Sequence, residues 1–266
     1  MGAPDRLIAD DLRSRLGDCP LVRDILVFQE TGSTNDQAAQ LGRHGAEGGV
    51  AIFAEKQTAG RGRFGRRWES AAHRGLWFSL LLRPELPLMM WPRLTTWAAL
   101  GVAGAVDGVA GDRAAVKWPN DVYLRGKKVA GILIETGTDS DGEAFAVLGI
   151  GVNVNHEPED FPEVLRDKAG AIREATGSPL DRTALAVAIL RQLNARWPAV
   201  CDNFSELLTE AKRRSFLLGR WVKVHSGETV LEGIAESLDD QGHLLLRQSD
   251  GEVSRLSAGE VTLATS

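Results

Sequence analysis

Between Lys56 and Arg74 the chain sets six cations (Lys56, Arg61, Arg63, Arg66, Arg67 and Arg74) against one acid, Glu69. That window carries a local net of +5 in a protein whose formal charge is −5. Gly60, Gly62 and Gly65 alternate with the arginines. An arginine presents a bidentate fork to a phosphate or carboxylate, and glycine lets backbone N–H groups come close to the same anion. Trp68 adds a flat surface for a ring. Such a loop is expected to be mobile when empty and ordered when occupied, because anion contacts then offset the ordering entropy. The plain alternative for a run of charge is a solvated face or a nucleic-acid patch. A pI near 5.6 argues against a general nucleic-acid binder. Gly60 to Gly65 also satisfies G-x-G-x-x-G after a strand-like run, but no apolar helical periodicity follows it, and a dinucleotide turn must open a helix.

Two more constellations sit where strands end. Lys117-Trp118-Pro119-Asn120-Asp121 puts a proline, which cannot extend a strand, directly before an amide and a carboxylate suited to hydrogen bonding and Mg²⁺ contact. Lys127-Lys128 leads into the apolar run Val129 to Ile134, which would carry a positive charge toward a phosphate. Taken singly, the first also reads as an Asn-Asp turn and the second as an exposed hairpin lysine. His44, His73, His156, His225 and His243 lack the three-to-five-residue ligand spacing, so no protein-held zinc is expected. Neither a G-x-S-x-G elbow nor a G-x-x-x-x-G-K-[ST] loop is present in the sequence.

The elements needed to position these residues read as α+β. Strand-like runs cover Asp24 to Glu30, Gly48 to Glu55, Leu76 to Leu82, Ala114 to Trp118, Lys128 to Thr136 and Phe145 to Asn155. Ser33, with Asp36 three residues later, outlines a capping box for a short helix. Pro92 opens a nearly all-apolar helix, Leu94 to Val109, that must be buried. Asp181 caps a helix to about Trp197, and another runs from about Val200 to Arg214. Beyond Leu218, short alternating runs (Trp221 to Val224, Thr229 to Ser237, Leu244 to Arg247, Glu252 to Leu256) suggest a small β-barrel. The expected domains are therefore 1–217 and 218–266. The apolar stretch Met89 to Val106 is broken by Pro92 and Arg93, so no membrane span is expected. An acidic start without an apolar core and only two cysteines, Cys19 and Cys201, point to the cytoplasm.

Five motifs in order resemble the biotin protein ligases: Glu30 to Asn35, Gln57 to Arg63 with Trp68, Lys117 to Asp121, Lys128 to Glu135, and Gly149 to Asn155. The resemblance implies a mixed β-sheet flanked by helices, of the class II aminoacyl-tRNA synthetase and biotin ligase kind, with a C-terminal SH3-like β-barrel. It implies that biotin and MgATP give biotinyl-5′-AMP and pyrophosphate, and that the acyl group then passes to one lysine of a biotin carboxyl carrier protein. Ser33, Thr34, Asn35 and Gln57 would hold the ureido head of biotin, with Gly60 and Gly62 in the same loop. Gly131 would leave room for its ring and chain. Arg61 and Arg63 would clamp carboxylate and phosphates, Lys128 would stabilise charge at the α-phosphate, and Trp68 would cover the adenine near Asn120 and Asn153. Asp121 would contact Mg²⁺ or assist the acceptor amine.

About thirty residues precede the Ser-Thr-Asn motif, too few for the DNA-binding module of family members that are also repressors. No DNA partner is therefore expected, and 1–19 is read as one helix. A homodimer is compatible with the sequence, which does not fix the oligomeric state. The rivals are a lipoate or octanoate ligase of the same fold, against which the Arg-Gly-Arg loop argues, and a non-catalytic sensor or repressor, against which Lys128 and the short N-terminus argue.

Overall fold

The computed structural model describes residues 5–263. Seven strands form one mixed sheet: β1 (Asp24–Phe28), β2 (Val50–Ala54), β3 (Gly75–Leu82), β4 (Ala115–Lys117), β5 (Asp121–Leu124), β6 (Lys127–Thr138) and β7 (Ala144–Asn153). Their spatial order is β1-β2-β3-β7-β6-β5-β4. Only β1 and β2 run parallel; the other neighbours are antiparallel. The helices are α1 (Ala9–Leu16), α2 (Thr34–Arg43), α3 (Arg93–Ala110), α4 (Ile172–Thr176), α5 (Arg182–Asp202) and α6 (Phe204–Arg213). No helix among the described residues is long and apolar enough to cross a membrane.

The two-residue period of the strands decides which side chains meet the core. On β3, Leu76, Phe78, Leu80 and Leu82 join the main core with Leu94, Trp97 and Leu100 of α3 and Leu185, Ile189 and Leu193 of α5. Each such side chain contributes about 1.5–3 kcal/mol on burial. The alternate residues Trp77, Ser79 and Leu81 therefore face the other side, where Leu81 packs with Ala38, Ile52, Phe145 and Val147 beneath α2. The same alternation sends Val116, Val122, Ala130, Ile132, Leu148, Ile150 and Val152 to the main core. It leaves Lys117, Asp121, Gly131, Gly149, Gly151 and Asn153 to the opposite face. Lys128 belongs by parity with the core set. A register shift between β5 and β6 pairs Val122 with Ala130 and Tyr123 with Lys128, so Val129 is the extra residue. That bulge lets Lys128 and Gly131 share one face.

Several expectations are corrected. Asp121–Leu124 is a strand of its own, because the Pro119-Asn120 turn folds the chain back on β4. Ser33 is the N-cap of α2, but its side chain caps nothing. Asp36, the residue expected to complete a capping box, is engaged by Arg61. Helix α5 continues through Pro198 to Asp202, α6 starts four residues later than expected, and α4 went unread. At the N-terminus the helix is limited to Ala9–Leu16, and 1–4 lie outside the described residues.

The C-terminal unit is a five-stranded antiparallel sheet, ordered β11-β10-β9-β8-β12, from β8 (Trp221–Ser226), β9 (Thr229–Leu238), β10 (Leu244–Arg247), β11 (Val253–Leu256) and β12 (Glu260–Leu263). Strand β12 went unread in the sequence. Among the described residues β11 and β12 form the two edges of the sheet. Val222, Val224, Leu244 and Leu246 continue the main core, and Trp118 Nε1 donates to the Gly242 carbonyl at 3.0 Å.

Candidate functional site

A cavity of about 620 Å³ lies on the sheet face left free by that alternation. Residues 57–69 cover it, Phe161 and Leu165 stand on another side, and Gly259 to Thr262 of β12 and its approach close a third.

One end is lined by the uncharged hydrogen-bonding groups of Thr34, Asn35, Ser79 and Gln57, with the charges of Glu135, Asp36 and Arg61 paired at its edge. The Thr34 N–H and hydroxyl donate to Gln57 Oε1 at 2.8 and 3.1 Å. Ser79 Oγ, wholly buried, lies 2.7 Å from Thr34 Oγ1 and donates to Asn35 Oδ1 at 2.5 Å. Asn35 Nδ2 in turn donates to Glu135 Oε2 at 2.5 Å. Any Cβ at Gly149 would stand 2.3 Å from Asn35 Oδ1, so only glycine lets the amide settle there. Arg61 closes this end by gripping both oxygens of Asp36 at 2.9 and 2.7 Å, with Glu135 at 3.4 Å. The pair holds the Asp36 carboxyl below its usual range and pushes the Arg61 guanidinium up.

The other end is crowded with cations. Lys128 Nζ stands 2.6 Å from Asp121 Oδ1, close but without hydrogen-bond alignment, since that oxygen is buried and otherwise unpartnered. Arg63 Nη1 donates to Asn120 Oδ1 at 3.2 Å, and Asn120 Nδ2 is fixed by the Ile132 carbonyl at 2.7 Å. Burial lowers the Arg63 pKa, against the opposing pull of the Asp121 charge. Burial also lowers that of Lys117, which the nearby Asp121 only partly offsets. Arg66 pairs with Glu260 of β12, and that hydrogen bond holds the glutamate below its ordinary pKa.

Trp68 lies between the two ends. Gly131 and Gly151 are cross-strand partners, and a Cβ at either would stand 2.7 Å from the Trp68 indole. The room that Gly131 leaves is thus filled by Trp68 rather than left open. Lys128 Nζ sits 5.2 Å from the centre of that ring, within cation–π range.

Ser33, Thr34, Asn35, Gln57, Arg61, Gly62, Arg63 and Trp68 all line this one cavity, as do Asn120, Asp121, Lys128, Gly131 and Asn153. Gly60 does not. It stays in the loop, where its carbonyl accepts from Trp68 N–H at 3.0 Å and a Cβ would meet the Trp68 carbonyl at 2.8 Å. Sequence reasoning assigned no role to Lys117, Ser79, Glu135, Glu260 or His156, which line the cavity or tie its walls. Lys117 and Glu135 lay inside quoted motifs and were within reach; Ser79, in an apolar strand, carried no signal. His156 is buried against Trp77 and Phe161, and burial drops its pKa to about 4.

Residues 27–155 match the biotin/lipoate A/B protein ligase family, and residues 217–263 match the biotin protein ligase C-terminal domain. A biotin–[acetyl-CoA-carboxylase] ligase of Mycobacterium tuberculosis is 37% identical, over 90% of this chain and 88% of that protein. The bifunctional ligase/repressor BirA of Bacillus subtilis is 32% identical, over 98% of this chain and 80% of that protein. Among solved structures, the biotin protein ligase from Aquifex aeolicus in complex with biotin and ATP superposes with a TM-score of 0.78 at 31% identity, over 92% of this chain and all of that one. With these five motifs brought to a single cavity and both family regions matched, the chain belongs to the biotin protein ligases of the biotin/lipoate A/B protein ligase family.

Proposed function

We propose that this protein joins biotin to ATP as biotinyl-5′-AMP and transfers the biotinyl group to a lysine of a biotin carboxyl carrier protein. The observation that carries the reading is the pairing, within one cavity, of a neutral hydrogen-bonding end with a cationic end. In the first step a biotin carboxylate oxygen attacks the α-phosphorus of ATP, and the bond to the bridging oxygen breaks to release pyrophosphate. In the second, the carrier lysine's Nζ attacks the acyl carbonyl, AMP leaves, and the nitrogen sheds its proton as the amide forms. Both nucleophiles come from substrates, so the protein's task is positioning and charge.

At the neutral end, Ser33, Thr34, Asn35 and Gln57 are assigned to the ureido head of biotin, whose burial requires hydrogen-bond partners. Gly62 is assigned to the loop's close approach, and Gly131 to the floor on which ring and chain lie once Trp68 gives way. At the cationic end, Arg63 and Lys128 are assigned to carboxylate and phosphate oxygens. Lys117, partly stripped of solvent, is assigned with them. Arg61, held by Asp36, acts on the loop's shape more than as a free clamp. Trp68, Asn120 and Asn153 are assigned to the adenosine side.

Magnesium enters with the nucleotide. Among the described residues no group of three or more His, Cys, Asp and Glu side chains is placed to hold a metal. Asp121 offers one carboxylate, which suits an ion held chiefly by phosphate oxygens. The catalytic unit is assigned to 1–217 and the β-unit to 218–266, with Glu260 as the link from the second to the loop of the first.

The test is pyrophosphate release with MgATP and, separately, biotin, lipoate and octanoate. Release with biotin alone is expected. Release with lipoate or octanoate instead would overturn the substrate, and none with any acid would overturn the adenylation.

A further inference from the structure

The loop that covers the cavity leaves β2 at Glu55, the residue after its last, and returns at Gly75, the first residue of β3. Both points are tied to one side chain outside the site. Arg182, the first residue of α5, is fully buried. Its Nη1 donates to Glu55 Oε2 at 2.7 Å and to the Gly75 carbonyl at 3.1 Å, and its Nη2 donates to Glu55 Oε1 at 3.2 Å. The remaining donors reach the carboxylate and carbonyl of Asp5. Glu55, 1% exposed, also accepts from Leu7 N–H at 2.6 Å, and His73 Nδ1, near the loop's far end, lies 3.1 Å from Glu55 Oε2. Burial raises the Glu55 pKa, yet the Arg182 and Leu7 hydrogen bonds and the Arg182 charge outweigh it and hold the carboxyl ionised. Asn155, next to the glycine-rich strand, extends the same tie. It donates its N–H to the Arg74 carbonyl at 2.7 Å and exchanges side-chain hydrogen bonds with Leu180.

A fully buried ion pair seldom stabilises a fold more than apolar side chains of the same volume would. What this pair does that apolar residues would not is fix two chain ends at set distances from one guanidinium. Between those ends the loop is tied across the cavity by Arg61 on Asp36, Arg63 on Asn120 and Arg66 on Glu260, and Phe64 and His73 adopt left-handed backbone conformations, φ 58° and 61°. The position of Arg63 and Trp68 over the cavity depends on these ties and on where the two ends of the loop are fixed at its base. We infer that Arg182 is a positioning residue: by stapling Glu55 to Gly75 it holds the covering loop down and keeps the activated acyl adenylate in the site. This rests on the reaction proposed above.

Arg182→Ala would strand the Glu55 charge in the core, so the informative variants are Arg182→Lys and the double variant Glu55→Met/Arg182→Met. Lysine keeps a cation beside Glu55 but lacks the fork that also reaches Gly75. The double variant removes both charges of the buried pair, and the Asp5 carboxylate it leaves without Arg182 is part-exposed and can be met by water. Ile189→Val, in the buried face of α5, serves as a control for lost stability. Biotin-dependent pyrophosphate release reports adenylation, and hydroxylamine captures any adenylate that escapes. Wild type should release pyrophosphate once and yield little hydroxamate. Both staple variants should fold and adenylate biotin within about threefold of wild type, yet yield at least about tenfold more hydroxamate, as a small misplacement of a covering element produces. Trypsin should cut them faster between Arg61 and Arg67. Wild-type hydroxamate levels in a folded staple variant, or an equal rise in Ile189→Val, would overturn the staple alone. A wild-type protein that releases no pyrophosphate with biotin would overturn the reaction and the staple with it.

Discussion

At one end of the cavity Thr34, Asn35, Ser79, Gln57 and Glu135 answer one another's hydrogen bonds, while at the other Arg63, Lys117 and Lys128 gather around Asp121. The first arrangement is complete without a ligand: each buried polar group has a partner, and the network keeps its shape when empty. The second is not. Burial works against both Arg63 and Lys117, and Asp121, with Glu260 beside Lys117, offsets only part of that cost. A site in that condition gains most from an anion carrying several charges. The two ends therefore divide the work, with shape and selection at the neutral end and charge stabilisation at the cationic end.

The sharpest way to break this division is Lys128→Ala. It should slow biotin-dependent pyrophosphate release about a hundredfold, the scale of one preorganised charge. A rate close to wild type would remove Lys128 from the charge-stabilising role. Asn35→Ala should act differently: it leaves Glu135 and Ser79 short of partners, costing about 1–3 kcal/mol in thermal unfolding. Through the same loss the KM for biotin should rise about tenfold or more, with a smaller change in kcat. An effect on kcat alone would move Asn35 to the chemistry.

Arg63→Gly should leave adenylation partly intact but release the intermediate, so that labelling of bystander lysines rises by about tenfold. Unchanged retention would sink the assignment of Arg63 to the phosphate side. The smallest effect at neutral pH is expected from His156→Phe. The His156 pKa is about 4 in the folded protein against 6.5 ordinarily. As pH falls below 6.5 the unfolded chain takes up a proton that the folded one refuses, so stability drops through that window, by roughly 3 kcal/mol at pH 4. The phenylalanine variant should lose that part of the acid-side slope in thermal melts and behave as wild type near pH 7. An unchanged slope would show that His156 is protonated in place.

Much of the fold was legible because its signals are local. The apolar stripe of α3, the alternation of β3 and the Asp181 cap, which accepts from Ala184 N–H at 2.9 Å, need only neighbours in sequence. The site was legible where residue type and spacing coincide, as in the Gly-Arg loop and the Asn120-Asp121 corner. It was illegible where a partner from another element decides the outcome. Asp36 looked like half of a capping box, yet Arg61 claims it across the cavity. Gly131 looked like space for a ligand, yet Trp68 occupies it. Ser79 carried no signal inside the run Leu76 to Leu82, and only the stacking of β3 beside α2 makes it a hydrogen-bonding centre.

By itself the sequence determined the binary pattern of the strands, the mixed α+β class, the positive loop in an acidic chain and the five motifs that mark the family, since each depends on residue type and short spacing alone. The tertiary structure decided which of those residues meet. The bulge at Val129 turns Lys128 to the same face as Gly131, the pairing of Gly131 with Gly151 makes a floor for Trp68, and Arg182 reaches across the molecule to close the base of the loop. Contacts between residues far apart in the chain depend on register and packing, and neither is written in any one segment.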